Sequence, residues 1–469
     1  MDETAGAVRP GCKAKDSVLR LSEPDPPPAA KAMTGLRWGR EPVTKRAMSQ
    51  QLRGRHLVAA DRRFATGGGR LANLLSGSFS GILGRIDQGL EQGAIEAVLP
   101  DGSKRILGGR GPGPRPIVHL HSWRALARLA ASGSVGWYKA WEQGEWSSPD
   151  PVPLFELFML NAESLGATAR AKGLFRLVNS IAHRFRSNDK ARARENISHH
   201  YDLGNDFYRA WLDKGMTYSS AVFAEPISGS EPLEAAQARK LRLLLDRLEL
   251  RPGQRLLDIG CGWGSLAEIA ARDYRVEVDG LTLSAEQKAF AERRLQSACL
   301  ARRCAIELTD YRDAKGQYDA VASVEMVEAV GQDYWPIYLE SIARVLKPGG
   351  RAALQFISIR EPLFDDYAAN ADFIQTYIFP GGMLIGEARL EALAAEAGLA
   401  WRDRTGFGLH YAETLRRWRV CYDEAVAEGR LPEGFDEPFH RLWRYYLMYC
   451  EGGFRGGGID VAQVTLVKG

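Results

Sequence analysis

Between residues 254 and 360 short apolar runs alternate with runs of helical period, and this alternation constrains the fold more than any other feature of the chain. "RLLDIG", "RVEVDGLTL", "CAIELTD", "YDAVASVEM" and "RAALQFISI" read as strands; "SLAEIAARD", "SAEQKAFAERRLQSA" and "WPIYLESIARVL" read as the helices between them. Strand and helix in strict turn require crossover connections, so the expectation is an α/β fold with a doubly wound, mostly parallel sheet. The first unit, "LLDIGCGWGSLAEIAAR", is the most telling. A buried strand ends at Asp258, and Gly260, Gly262 and Gly264 form a loop before the next helix. Glycines let the backbone turn sharply and let a ligand approach it closely. The closing run "IDVAQVTLVKG" reads as a final edge strand.

The 469 residues, 45% of them apolar, suffice for two or three cores. Charge is unevenly placed: residues 1–200 carry 30 Lys/Arg against 18 Asp/Glu, and the remainder carries 32 against 40. A basic half suits an anionic partner, either nucleic acid or a phospholipid surface. Six scattered cysteines without a CxxC pair fit a reduced, cytosolic protein. The N-terminus lacks the apolar core of a signal peptide, and no run approaches the ~18 apolar residues of a membrane span. Residues 1–55, with "EPDPPPAAKA", read as a disordered leader in which Met33 and Met48 are alternative starts.

Residues 56–168 read as a small α+β domain. "GAIEAVLPDGSKRILG" has the pattern of a hairpin around Pro100-Asp101-Gly102. "PIVHLHSWRALARLAASG" runs from a strand into an amphipathic helix ended by Gly133, and "WYKAWEQGEWSSPDPVPLFELFML" adds three tryptophans and another helix. His119 and His121 share one strand face, and without a third ligand nearby they do not predict a metal site. Residues 169–195 read as a basic linker helix. Leu174, Leu177, Val178, Ile181 and Phe185 fall at helical spacing with Arg176, Arg184 and Arg186 beside them. Such a helix can lie in a headgroup layer or pack on its own domain.

The G-x-G-x-G spacing after an acidic strand end differs from the dinucleotide G-x-G-x-x-G. It resembles the first motif of the class I methyltransferases, which bind S-adenosylmethionine. Thr282, Leu283 and Gln287 in "DGLTLSAEQ" then face the ribose or methionine part, and Asp310, Tyr311 and Arg312 in "TDYRD" the adenine. Each is also readable as a turn or cap residue; Ser284 with Gln287 makes a capping box.

"HYDLGNDFYRAWLDKGMTYSSAVF", "DIGCGWG", "GLTLSAEQ", "VEAVGQDYW", "YIFPGG", "HYAETLRRW" and "YCEGGFR…IDVAQV" follow in order over residues 195–469. Together they resemble the cyclopropane-fatty-acyl-phospholipid synthases and mycolic-acid methyltransferases. The resemblance implies a seven-stranded methyltransferase sheet at 196–469 with a helical lid making an apolar tunnel for the lipid. The mouth of that tunnel falls at "DFIQTYIFPGGMLI". It also implies transfer of the S-adenosylmethionine methyl to a cis double bond of a phospholipid acyl chain. Methyl transfer leaves a carbocation, for whose aromatic wall Tyr201, Phe207, Tyr208, Tyr218, Tyr334, Trp335 and Phe356 are candidates, about half of them expected to be core instead. Tyr218 and Ser219 are expected to cover the cofactor.

In that family a bound bicarbonate takes the proton whose loss closes the cyclopropane. The resemblance carries its ligands onto Glu328, the Ile357 amide and Tyr411, whereas the family's Cys is Ser220 here and its His is Gln355. Ser220 keeps a hydroxyl and an amide donor; Gln355 keeps a donor but cannot become a cation. These departures open a second outcome, a methylated alkene or, with a partner reductase, a methyl-branched chain. Cys450 stands where the family has a Cys that invites a nucleophilic role, but methyl transfer to an alkene needs no covalent enzyme intermediate, so a packed Cys is preferred. The implied partners are an anionic phospholipid surface, a second copy of the chain and, for a branched product, the reductase. Nucleic acid is not among them. The implied location is cytoplasmic, on the inner face of a bacterial membrane. An NAD(P) enzyme would need an acidic ribose anchor, and Asp279 lies before Gly280, a poor place for it. A lipid carrier with a vestigial pocket is the reading from another class.

Overall fold

The computed structural model describes residues 53–60, 79–166, 203–370 and 372–469. Most of the expected leader, the basic stretch 169–195 and Tyr201 lie outside the described residues. Residues 52–469 make one compact unit.

Its first part has a single helical turn at Arg55–Val58 and then α1 (Phe79–Gly89). The expected hairpin follows: β1 (Ala94–Val98) pairs antiparallel with β2 (Lys104–Gly108). The turn closes where Gly102, at φ 81°, donates to the Leu99 carbonyl at 2.8 Å. β3 (Ile117–Leu120) lies parallel to β1, and β4 (Trp146–Ser147) completes a sheet of order β2-β1-β3-β4. His121 Nε2 is 2.7 Å from Ser147 Oγ, and no group of His, Cys, Asp or Glu among the described residues could hold a metal. The helical run α2 (Arg124–Glu142) is broken where expected: Ser132 and Gly133 leave helical geometry, Gly133 at φ 55°, and a second helical segment carrying Trp137, Tyr138 and Ala140 follows. α3 (Val152–Leu160) follows.

The large sheet has the order β10-β11-β9-β8-β5-β6-β7. After α4 (Leu233–Asp246) come β5 (Arg255–Ile259), α5 (Ser265–Ile269), β6 (Glu277–Thr282), α6 (Ala285–Ser297), β7 (Cys304–Leu308), β8 (Tyr318–Val324), α7 (Trp335–Val345) and β9 (Leu346–Ile359). β5 to β9 pair in parallel, which the alternation required. Then follow α8 (Glu361–Ala369), α9 (Glu387–Glu396), β10 (Leu399–Gly406), α10 (Gly408–Ala427), α11 (Glu437–Arg455) and β11 (Ile459–Lys468). β11 is not an edge strand. It lies antiparallel between β9 and β10. Its polar residues Gln463 and Thr465 are both buried, and Gln463 bonds to Gln355 and to the Lys240 carbonyl.

The chain winds from β5 outward through β6 and β7, then returns to place β8 on the other side of β5. Such a reversal opens a crevice at the carboxyl ends of the strands, the usual ligand position in open α/β sheets. The glycine loop after β5, Glu325 after β8 and the end of β9 all meet there.

Candidate active site

The glycine loop is shaped for close approach. Gly260 and Gly262 take φ of 81° and 53°; a Cβ at Gly260 would sit 3.1 Å from the Met326 sulfur, whereas Gly262 opens onto free space. Gly264 serves packing, since a Cβ there would stand 2.9 Å from that of Ala291 on α6. One cavity of about 370 Å³ is walled by Asp258, Gly260, Gly262, Thr282, Leu283 and Gln287, with Tyr218, Ser219 and Tyr311 beside them. Asp258 Oδ2 is buried without a partner, and burial pushes this carboxyl up to about 7 against the pull of Lys240. Thr282 Oγ1 donates to Gln287 Oε1 at 2.8 Å, and Ser284 caps α6 through the Gln287 amide at 3.3 Å. Asp310 and Arg312 stand apart from these walls. They pair with each other, Arg312 Nη2 to Asp310 Oδ2 at 2.7 Å, and brace the turn that carries Tyr311.

A second cluster meets the cavity through Glu325, Glu328, Ile357, Tyr411 and Lys240, whereas the predicted Ser220 and Gln355 do not line it. Glu325 Oε1 accepts from the Ser220 amide and from Gln355 Nε2, both at 2.8 Å, and its Oε2 accepts from Tyr411 Oη at 2.8 Å. The Ser220 hydroxyl is turned away and donates to the Ala221 carbonyl at 3.0 Å. Gln355 Oε1 accepts from Gln463 Nε2 at 3.0 Å, which fixes the amide's direction. The Ile357 amide donates to Glu328 Oε1, while Glu328 Oε2 is buried without a partner. Buried Lys240 donates to Ser219 Oγ at 2.6 Å; desolvation lowers it to about 8 while Glu325, Asp213 and Asp258 hold its charge.

Burial raises both carboxyls, and two such neighbours cannot both ionise readily. Three donors and Lys240 favour the charged form of Glu325. Glu328 has one amide donor, and after burial the Glu325 charge is its next largest cause of elevation, to about 8. The donors and Lys240 therefore favour the charged form of Glu325 over that of Glu328.

The lid forms from 361–386 and α11. Tyr367, Ile374, Phe379 and Met383 face the cavity from the first, Tyr446, Tyr449 and Cys450 from the second, and Met159 reaches in from α3. Burial drives the Cys450 thiol far above its ordinary value, with Asp372 adding to the effect, so it is not a thiolate nucleophile. Of the described wall candidates only Tyr218 lines the cavity. Phe356 alternates to the opposite face of β9 from Gln355 and packs on Trp401. Phe207 and Tyr208 are buried in an aromatic cluster with Trp211 and Trp443. Trp335 is buried with Nε1 on the Val327 carbonyl, and Arg312 lies over the Tyr334 ring. The aromatic faces of the cavity come instead from Tyr411, Tyr446, Tyr449 and Phe454 with Tyr218. Sequence reading missed Glu325, Lys240 and Gln463. The one available signal was a second carboxylate three residues before Glu328 in "VEMVE".

The sheet order, with an acidic first strand end and a glycine cradle at its reversal, defines a class I S-adenosylmethionine-dependent methyltransferase. Asp258 Oδ2, unpartnered, and the open face of Gly262 fit that cofactor. A family model described as mycolic acid cyclopropane synthetase matches residues 188–464, and the chain belongs to that family. Tuberculostearic acid methyltransferase UfaA1 of Mycobacterium tuberculosis is 38% identical over 75% of this chain and 83% of its own. The cyclopropane-fatty-acyl-phospholipid synthase of Escherichia coli K12 is 35% identical over 73% and 85%. Among solved structures, mycolic acid cyclopropane synthase CmaA1 complexed with SAH and CTAB superposes with a TM-score of 0.54 at 30% identity, covering 59% of this chain and 98% of that one.

Proposed function

We propose that the protein methylates a cis double bond in an unsaturated acyl chain of a membrane phospholipid. The observation that carries this reading is the continuity of one cavity from the glycine loop to the aromatic and aliphatic lid. S-adenosylmethionine supplies, when bound, an electrophilic methyl group. Asp258, whose Oδ2 has no protein partner, and the backbone at Gly260 and Gly262 would hold it. The lid keeps water from a weak alkene nucleophile and holds it in line. Tyr218, Tyr411, Tyr446, Tyr449 and Phe454 present ring faces where positive charge develops on the chain.

Ser220 and Gln355 depart from the cyclopropane-forming pattern. Together with the similarity to a tuberculostearic acid methyltransferase, they favour a methylated alkene, reduced by a partner to a branched chain, over a ring. Ring closure is the second reading, favoured by Glu328, Ile357 and Tyr411 and by the Escherichia coli relative. The unlabelled products are isomers, but with a trideuteromethyl label ring closure loses one deuterium from the new methyl and keeps two, whereas loss of a chain proton keeps all three. Lipids from cells expressing the protein and fed trideuteromethyl methionine are analysed by mass spectrometry and proton NMR. Acyl chains carrying three deuteriums are expected; chains carrying two with a cyclopropane ring would establish the second reading, and unlabelled acyl chains would remove both.

A further inference from the structure

Glu325 sits one residue beyond β8, at φ 50°. A non-glycine residue held in this left-handed region is strained and persists where the surroundings fix it. Here they do. Its side chain enters the cavity and receives the Ser220 amide, Gln355 and Tyr411, three of the five groups that the family resemblance assigns to a bound bicarbonate. A fourth, the Ile357 amide, donates to the fifth, Glu328. With the four donors engaged, only the Glu328 Oε2 is left without a partner, and the Glu325 carboxylate takes the donors a separate anion would need. Bicarbonate therefore does not fit this site. Gln463 fixes Gln355 toward Glu325, and Lys240 supplies a buried cationic charge nearby.

We propose that Glu325 is a built-in anion in place of bicarbonate, and that its carboxylate is the general base that takes the proton the acyl carbocation must lose. The inference rests on the methylation reading above. The alkene π pair forms the new bond to the methyl carbon, and the carbon–sulfur pair stays on sulfur. A cation is left on the chain. Glu325 takes a proton either from the new methyl or from a neighbouring chain carbon, and that C–H pair closes a ring or a double bond. The resulting carboxyl returns its proton to solvent after product leaves. A tethered carboxylate needs no dissolved anion and loses none on substrate entry, an advantage of orientation.

The test uses the purified full chain with unsaturated phospholipid vesicles and labelled S-adenosylmethionine in buffer stripped of carbon dioxide. The wild type is expected to keep its rate there and to gain nothing from added bicarbonate. Glu325→Gln removes the base but fills its place; turnover should fall by about 100-fold or more, with no recovery in bicarbonate or formate. Glu325→Gly accepts the left-handed backbone without strain and opens the site. It should still bind S-adenosylhomocysteine, lose turnover equally, and recover part of it with bicarbonate or formate. A carboxylate that only supports the fold would not give this contrast between the two variants. A wild type that stops without bicarbonate, a Glu325→Gln enzyme of near-normal rate, or a Glu325→Gly enzyme that no anion revives would overturn the proposal. A wild type that labels no acyl chain under any condition overturns the methylation reading instead, and with it the need for a base.

Discussion

Two carboxylates three residues apart occupy one buried site, and their partners divide the work between them. Glu325 has three donors and the field of Lys240; Glu328 has the Ile357 amide and an unpartnered oxygen. Burial, then the Glu325 charge, moves the Glu328 carboxyl from its ordinary 4.5 to about 8. The folded chain thus binds a proton that the unfolded chain releases between those values. Stability from this group is fullest below the ordinary value and declines as pH rises toward 8. In Glu328→Gln the neutral amide removes that decline. Melting curves between pH 5 and 8 should show the variant gaining on the wild type as pH rises; parallel curves would contradict the assignment. Residue identity made Glu328 legible as a site residue. The role of Glu325 depends on a backbone angle and on three donors from distant segments, none of which a local pattern displays.

At the scale of elements, the glycines of "YCEGGFRGGG" decide how the small sheet's last helix docks. A Cβ on Gly452 would stand 2.4 Å from the Phe155 Cβ and 2.8 Å from the Glu156 amide nitrogen, so α11 and α3 touch backbone to backbone. This contact places Met159 in the cavity wall and Phe155 against Tyr445 and Tyr449. Gly452→Ala overfills the contact and should cost about 1–3 kcal/mol, read as a lower melting temperature together with weaker discrimination among acyl chains. An unchanged melting temperature would mean that the two helices can part without loss. The parallel strands β5 to β9 were legible because hydrophobic period and glycine position are local properties. The place of β11 was not, because a strand buried between two others can carry polar residues when those residues find partners across the sheet.

For the whole molecule, charge separation is the property with a functional consequence. Residues 1–200 carry the Lys/Arg excess, and no helix among the described residues is long and apolar enough to cross a membrane. The proposed phospholipid substrate has to be met at a surface, where each nearby Lys or Arg contributes about 1 kcal/mol on an anionic leaflet. Binding to phosphatidylglycerol-containing vesicles should be strong at low salt and fall steeply as ionic strength rises past about 0.15 M, where the screening length is about 8 Å. Phosphatidylcholine vesicles should bind weakly at both. Co-sedimentation measures this, and equal binding to the two lipids would argue against an electrostatic approach to the membrane.

Sequence alone determined the alternating sheet, the glycine cradle after β5 and the family, because each is written in short contiguous patterns whose physics is local. It also placed Tyr218, Ser219, Asp258 and Glu328 at the cavity wall. Only the tertiary structure decided which aromatics are wall and which are core, since strand alternation and helix packing turned Phe356, Phe207 and Tyr208 inward. It also decided which groups surround the Glu325 carboxyl. Ser220, Glu325, Gln355, Tyr411 and Gln463 come from five separate segments, and their hydrogen bonds exist only once the sheet has closed around them.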